Sequence, residues 1–143
     1  MHSVETVDGG DLDTLRACFP IFKVLRPHLD EAEFLHRVQT QTAEGYRVVM
    51  IRVDGTVAAA AGFRVLHFLW ARRVLYIDDL ITDPTRRKLG LGGTLLDWLI
   101  NEGARLKCDE VHLDTGFQRH DAHRLYLNKG FVLAVHHMSR QLP

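Results

Sequence analysis

Three apolar runs fill the middle of the chain, YRVVMIRV, TVAAAAGFRVLHFLW and RRVLYIDDLIT, and each reads as a strand. The Asp54-Gly55 pair between the first two favours a tight hairpin turn, so these strands are expected to pair antiparallel. Asp83-Pro84 breaks the third. On either side the apolar spacing turns helical. In GLGGTLLDWLINEGARLK the residues Leu91, Leu95, Leu99 and Leu106 form one stripe, and in DEAEFLHRVQTQTAEG, capped by Asp30 and stopped by Gly45, Phe34 and Val38 share a face.

The remaining elements complete the order. HSVETV is a short alternating strand, Asp11 caps a helix expected to run to about Cys18, and FPIFKVLRPHL after it is apolar and broken by proline. EVHLDTG reads as a strand, DAHRLYLNKG as a helix ending at Gly130, and FVLAVHHMSRQL as final strands. The order β-α-α-β-β-β-α-β-α-β-β begins antiparallel and then contains a strand, helix, strand unit whose crossover demands a parallel pair. The fold class is therefore α/β (α+β): a mixed, largely antiparallel central sheet with flanking helices.

Composition narrows the function. At 143 residues, 46% hydrophobic and 25% charged, the chain is expected to form a single domain, 1–143, with a real core. Formal net charge is +0 and the pI is about 7.1, so no global field favours nucleic acid or an anionic membrane, and neither is expected as a partner. No window approaches the roughly 18 consecutive apolar residues of a membrane span, and MHSVETVDGGD lacks the basic-then-apolar order of a signal peptide. A cytoplasmic protein is expected. Cys18 and Cys108 are far apart and fit no metal or redox spacing, so both are expected as buried free thiols.

RRKLGLGG, Arg86 to Gly93, places three cations before three glycines at the start of a helix. A helix N-terminus exposes about four unpaired N–H groups and roughly half a positive charge, and glycines let a ligand come close to it. Such a turn suits a phosphate or diphosphate. No glycine stands three residues after Gly92, so the dinucleotide pattern G-x-G-x-x-G is absent, and no Gly-Lys-Ser/Thr ends the loop as a nucleotide-triphosphate site requires.

RKLGLGG resembles the Arg/Gln-x-x-Gly-x-Gly/Ala pyrophosphate loop of the GNAT superfamily, the acetyl-CoA-dependent N-acetyltransferases, with Arg87, Gly90 and Gly92 in the defining positions. HRLYLNKGF is similar to the family's A-x-x-x-Tyr-x-x-x-Gly-Phe segment through Ala122, Tyr126, Gly130 and Phe131, and element order and length agree over essentially the entire chain. The resemblance implies acetyl-CoA as cosubstrate, no metal, and a diphosphate cradled by Arg87, Lys88, Leu89, Gly90, Leu91, Gly92, Gly93 and Thr94. It implies that Leu80, Ile81 and Thr82 pair their backbone with the pantetheine arm like an added strand, at a splay between the two parallel strands. A homodimer is also implied. Where the family often has Asn seven positions before the tyrosine, this chain has Arg119.

Acetyl transfer needs a free amine lone pair, and an amine with a pKa near 10.4 is mostly protonated at pH 7, a cost of about 4 to 5 kcal/mol. Asp78 and Asp79, adjacent in a strand, are the candidate bases. Alternation sends them to opposite sides, and a β-bulge, which the resemblance implies here, redirects either one. Both can equally bond loop N–H groups or bind a cationic substrate. Tyr126 is the candidate acid for the departing thiolate, with a core tyrosine as the alternative. The pairs His120/His123 and His136/His137 lack an identifiable third metal ligand, and nothing near Cys108 marks a base for a nucleophile.

The expected function is an N-acetyltransferase moving acetyl from acetyl-CoA to a primary amine of a small molecule or peptide by direct attack. Its rivals are a catalytically silent CoA-binding or sensing domain and an acyltransferase with another acyl-CoA or acceptor. The acceptor end is expected at Phe19 to Glu33 and the HFLWARR loop.

Overall fold

Asp54 and Gly55 close the first hairpin at positive φ, 52° and 78°, in a two-residue turn whose twist matches the strands it joins. The computed structural model describes residues 2–143. The hairpin joins β2 (Arg47–Val53) to β3 (Thr56–Phe68), and β1 (Glu5–Val7), β4 (Arg72–Thr82) and β5 (Glu110–Leu113) complete a sheet in sequence order. The first three pairings are antiparallel, while β4 and β5 are parallel across the crossover helix α3 (Leu91–Arg105). The expected mixed sheet is therefore present.

Both faces of the sheet are covered, which is why β2 and β3 read as continuous apolar runs. Val48, Met50, Ala60 and Ile81 pack with α1 (Leu12–Leu25) and α2 (Glu31–Ala43). The alternate residues Val49, Ile51 and Phe63 are also buried, and α3 brings Trp98 to 6.0 Å from Phe63 and Gly103 against Leu75 and Val111. Asp30 caps α2 by accepting the Glu33 N–H at 2.8 Å, as its position before the helix predicts.

Helix α1 does not stop near Cys18. It continues through Pro20 to Leu25, burying Leu15, Cys18, Ile21 and Phe22 on one face. Proline costs about 3 kcal/mol in a helix interior. Pro20 is on the exposed side, where water can serve the carbonyl left without a donor, and burial of the opposite face outweighs the loss. Cys18 is buried with Sγ 3.6 Å from Met50 Sδ, and burial pushes its thiol up to about 11. Cys108 is only half-buried, contrary to expectation; both thiols are free.

The chain forms two compact units, one running to Leu113 and one from Asp114 to Pro143. The second contains α4 (His120–Asn128), ended by Gly130 at φ +90°. His123 Nε2 lies 2.8 Å from the Gly116 carbonyl, and His137 Nδ1 lies 3.0 Å from Asp114 Oδ2. The strands expected in FVLAVHHMSRQL are not formed, and residues 131–143 have no regular structure. A strand needs an edge to pair with, and this unit holds only a helix. Val132, Leu133, Val135, Met138 and Leu142 are exposed.

Candidate active site

The pairing of β3 with β4 slips by one residue where the two aspartates stand. Gly62 faces Asp79 and Phe63 faces Ile77, so Asp78 is the extra residue of a β-bulge. The two carboxylates are each only about an eighth exposed, at 14% and 13%, and their partners differ. Asp79 is saturated. Arg26, at the end of α1, donates to Asp79 Oδ1 from Nε at 3.0 Å and forms an ion pair with its Nη2 2.9 Å from the same oxygen, and the Tyr46 hydroxyl donates to Oδ2 at 2.6 Å.

Asp78 is held on one side only. Arg64 Nη2 donates to its Oδ1 at 3.0 Å, while Oδ2, like Arg64 Nε, is buried without a hydrogen-bond partner among the described residues. Burial pushes the Asp78 carboxyl above its ordinary range, and the Arg64 guanidinium works against that rise without cancelling it. The Tyr46 phenol is pushed far up, first by burial and then by the charge on Asp79, so it remains a donor. The sequence points to both aspartates but not to their partners Arg26, Tyr46 and Arg64.

Beyond the bulge, Leu80, Ile81 and Thr82 pair with Ala61, Ala60 and Ala59 on β3. On the other side β5 pairs only with Val74 to Ile77, so among the described residues no strand takes up the β4 edge from Asp78 to Thr82. A short 3₁₀ segment, Pro84–Leu89, leads to Gly90, whose left-handed φ of +68° ends that segment and starts α3. No side chain caps α3, and its first internal bond from Thr94 N to Gly90 O leaves the N–H groups of Leu91, Gly92 and Gly93 ahead of it. Arg87, Lys88 and Leu89 are exposed here, and nothing lies within 4 Å of where a Gly90 Cβ would stand. Arg86 is instead tied back, with Nη1 donating to Val53 O at 3.1 Å.

The sequence that builds this open strand edge and uncapped helix start matches a family model described as "Acetyltransferase (GNAT) family" over residues 12–131. The chain belongs to the GNAT acetyltransferase family. It is 31% identical over 117 residues to the uncharacterized N-acetyltransferase YhdJ of Bacillus subtilis (strain 168), covering 80% of this chain and 82% of that one. It is 30% identical over 79 residues to the aminoalkylphosphonate N-acetyltransferase of Salmonella typhimurium, covering 55% of this chain and 49% of the relative. Among solved structures, the ribosomal-protein-alanine N-acetyltransferase of Brucella melitensis biovar Abortus 2308 superposes with a TM-score of 0.82 at 15% identity, over 99% of this chain and 100% of the other. The aminoglycoside N-acetyltransferase AAC(6')-Iy in complex with CoA gives 0.83 at 16%, over 99% and 95%.

This GNAT chain is thus an acyltransferase with the N-acetyltransferase fold. Tyr126, the expected acid, is on α4 in the second unit. It is buried, its ring centroid is 6.0 Å from that of Phe131, and burial raises its phenol pKa while Arg119 pulls the other way. The tyrosine is accordingly protonated at neutral pH.

Proposed function

We propose that the enzyme transfers an acetyl group from acetyl-CoA to a primary amine by direct attack, with Asp78 as the proton acceptor. The observation that carries this reading is the buried Asp78 Oδ2, which lacks a partner at the point where β4 loses its second neighbour. A carboxylate whose pKa is raised above its ordinary value, with one oxygen left without a donor, is a stronger base than a free aspartate.

The cosubstrate fits the residues present. The N–H groups of Leu91, Gly92 and Gly93 at the α3 start, flanked by Arg87 and Lys88, would hold a diphosphate, and the free edge of Leu80 to Thr82 would pair with the amides of the pantetheine arm. Acetyl-CoA supplies the activated thioester. Asp78 takes the amine proton as nitrogen attacks the carbonyl carbon, the C–N bond forms, and the C–S bond breaks with the electron pair leaving on sulfur. Tyr126 is the proposed proton donor for that thiolate, a role that rests on its place in the family's A-x-x-x-Tyr-x-x-x-Gly-Phe segment.

The acceptor is a small molecule or a peptide amine. Arg26 beside Asp79 and Arg64 beside Asp78 balance the local charge, which suits a zwitterionic amine better than a polycation. The exposed apolar residues at 132–138 support a homodimer. Thiol release from acetyl-CoA tests the reading on amino acids, aminoalkylphosphonates, peptide amines, polyamines and aminoglycosides. Release with a zwitterionic amine is expected; tight acetyl-CoA binding with no release from any class would assign a silent binding domain instead.

A further inference from the structure

We propose that Arg26, Asp79 and Tyr46 form a positioning network that ties the α1–α2 connection to the β4 bulge and commits Asp79 to the scaffold, leaving Asp78 as the carboxylate that takes the proton. The inference rests on the acetyl-transfer reading above.

Two neighbouring carboxylates are unequal here because their donors are unequal. Asp79 receives hydrogen bonds on both oxygens, and Asp78 on one. Arg26 does more than neutralise Asp79, since its Nη2 also donates to the Asp78 backbone carbonyl at 3.1 Å. One guanidinium thereby fixes the side chain of one aspartate and the main chain of the other. Arg26 is itself held at the end of α1 by its N–H on Phe22 O at 2.8 Å, and Lys23 Nζ donates across the connection to Leu29 O at 3.0 Å. Movement of that connection is transmitted directly to the bulge.

Tyr46 closes the arrangement from the residue before β2. Its ring is buried, and its hydroxyl occupies the space that a side chain on Gly62 of β3 would take. The charged and titratable groups around Asp78 are Arg64 on β3, Asp79 beside it, Arg26 from α1, Tyr46 before β2, and Glu44, 3.8 Å from Arg64. Burial and Arg64 act on Asp78 first, and Asp79 and Arg26 act after them, so the hold of Arg26 and Tyr46 on Asp79 reaches Asp78 through the geometry of the bulge.

The test uses the full chain with Tyr46→Phe, Arg26→Gln, Arg26→Lys and Asp79→Asn. Loss of a hydrogen bond to a charged group predicts a fall of about tenfold or more in acceptor kcat/KM for Tyr46→Phe and Arg26→Gln, with acetyl-CoA KM changed less than about twofold. Arg26→Lys recovers part of the loss. Tyr46→Phe combined with Asp79→Asn costs no more than Asp79→Asn alone, because both act through one contact. Losses that multiply in the pair, or an acetyl-CoA KM that rises in step with lost thermal stability, overturn the proposal. Amide exchange at residues 26–30 provides a readout independent of turnover: faster exchange there in Arg26→Gln supports the tether, and unchanged exchange refutes it. A wild type that acetylates no amine would instead refute the acetyl-transfer reading, and the exchange result would still decide the tether.

Discussion

A Cβ on Gly62 would stand 1.5 Å from the hydroxyl oxygen of Tyr46. Glycine in the middle of a buried strand ordinarily weakens it, so its place here follows from the phenol it admits. Gly62→Ala is expected to destabilise the protein by ~1–3 kcal/mol through overpacking, measured by urea denaturation. Adding Tyr46→Phe should recover little of that loss, because the ring carbons Cζ and Cε1, 2.0 and 2.5 Å from that Cβ, still clash.

As the proposed base Asp78 must be ionised to act, and burial raises its pKa. The acidic limb of the kcat/KM profile should therefore lie above the ordinary aspartate range, with activity lost as pH falls through it. Asp78→Asn should be most impaired at neutral pH and recover as rising pH deprotonates the amine in solution. Asp79→Asn should lose rate without that recovery. Parallel pH-rate profiles decide, and a wild-type profile for Asp78→Asn would remove it as the base.

Gly92→Glu places bulk and negative charge at the uncapped start of α3, where a diphosphate needs the opposite. Calorimetric titration should find acetyl-CoA binding abolished in a variant that unfolds at nearly the wild-type temperature. Unchanged affinity would detach this turn from the cosubstrate.

Tyr126→Phe removes the proton but keeps the ring beside Phe131. General acid catalysis is worth ~10²–10⁴-fold, so kcat should fall by at least about a hundredfold while acetyl-CoA affinity holds. A fall below about tenfold in steady-state turnover would assign Tyr126 to packing.

Glu102 on α3 is nearly buried and accepts from Arg105 Nε at 3.0 Å, with Arg47 Nη1 at 3.8 Å. The Arg105 hydrogen bond lowers its pKa against the opposing effect of burial. A carboxylate whose folded pKa is depressed adds stability above its unfolded pKa and loses it as pH falls through the folded value. Glu102→Gln should therefore be less stable than wild type at pH 7, and the difference should shrink on acidification. Denaturation midpoints across that range provide the check.

What was legible in the chain depended on whether the deciding interaction was local. The Asp54-Gly55 turn, the Asp30 cap and the helix start at Gly90 are written within a few neighbouring residues, and the local structure of all three is as read. The extension of α1 through Pro20 was not, because it depends on which side of the helix the sheet covers. Asp78 could be favoured over Asp79 only slightly. The difference between their hydrogen-bond partners comes from Arg26 and Tyr46, 53 and 33 residues from Asp79 along the chain, and the faint local sign of it was Gly62 inside an alanine-rich strand. The missing C-terminal strands show the same limit, since an apolar run specifies an appetite for an edge without supplying one.

Gly90 ends one helical segment and opens the next, and α3 begins with no side chain to answer its first N–H groups. The free protein carries that deficit continuously, and an anion bound there relieves it. Occupancy and folding stability are then linked quantities: a ligand at a hundred times its dissociation constant adds about 2.7 kcal/mol to the fold. On the reading proposed above, in which the turn from Arg87 to Thr94 holds the cosubstrate diphosphate, the folded population of the enzyme would rise and fall with cosubstrate supply.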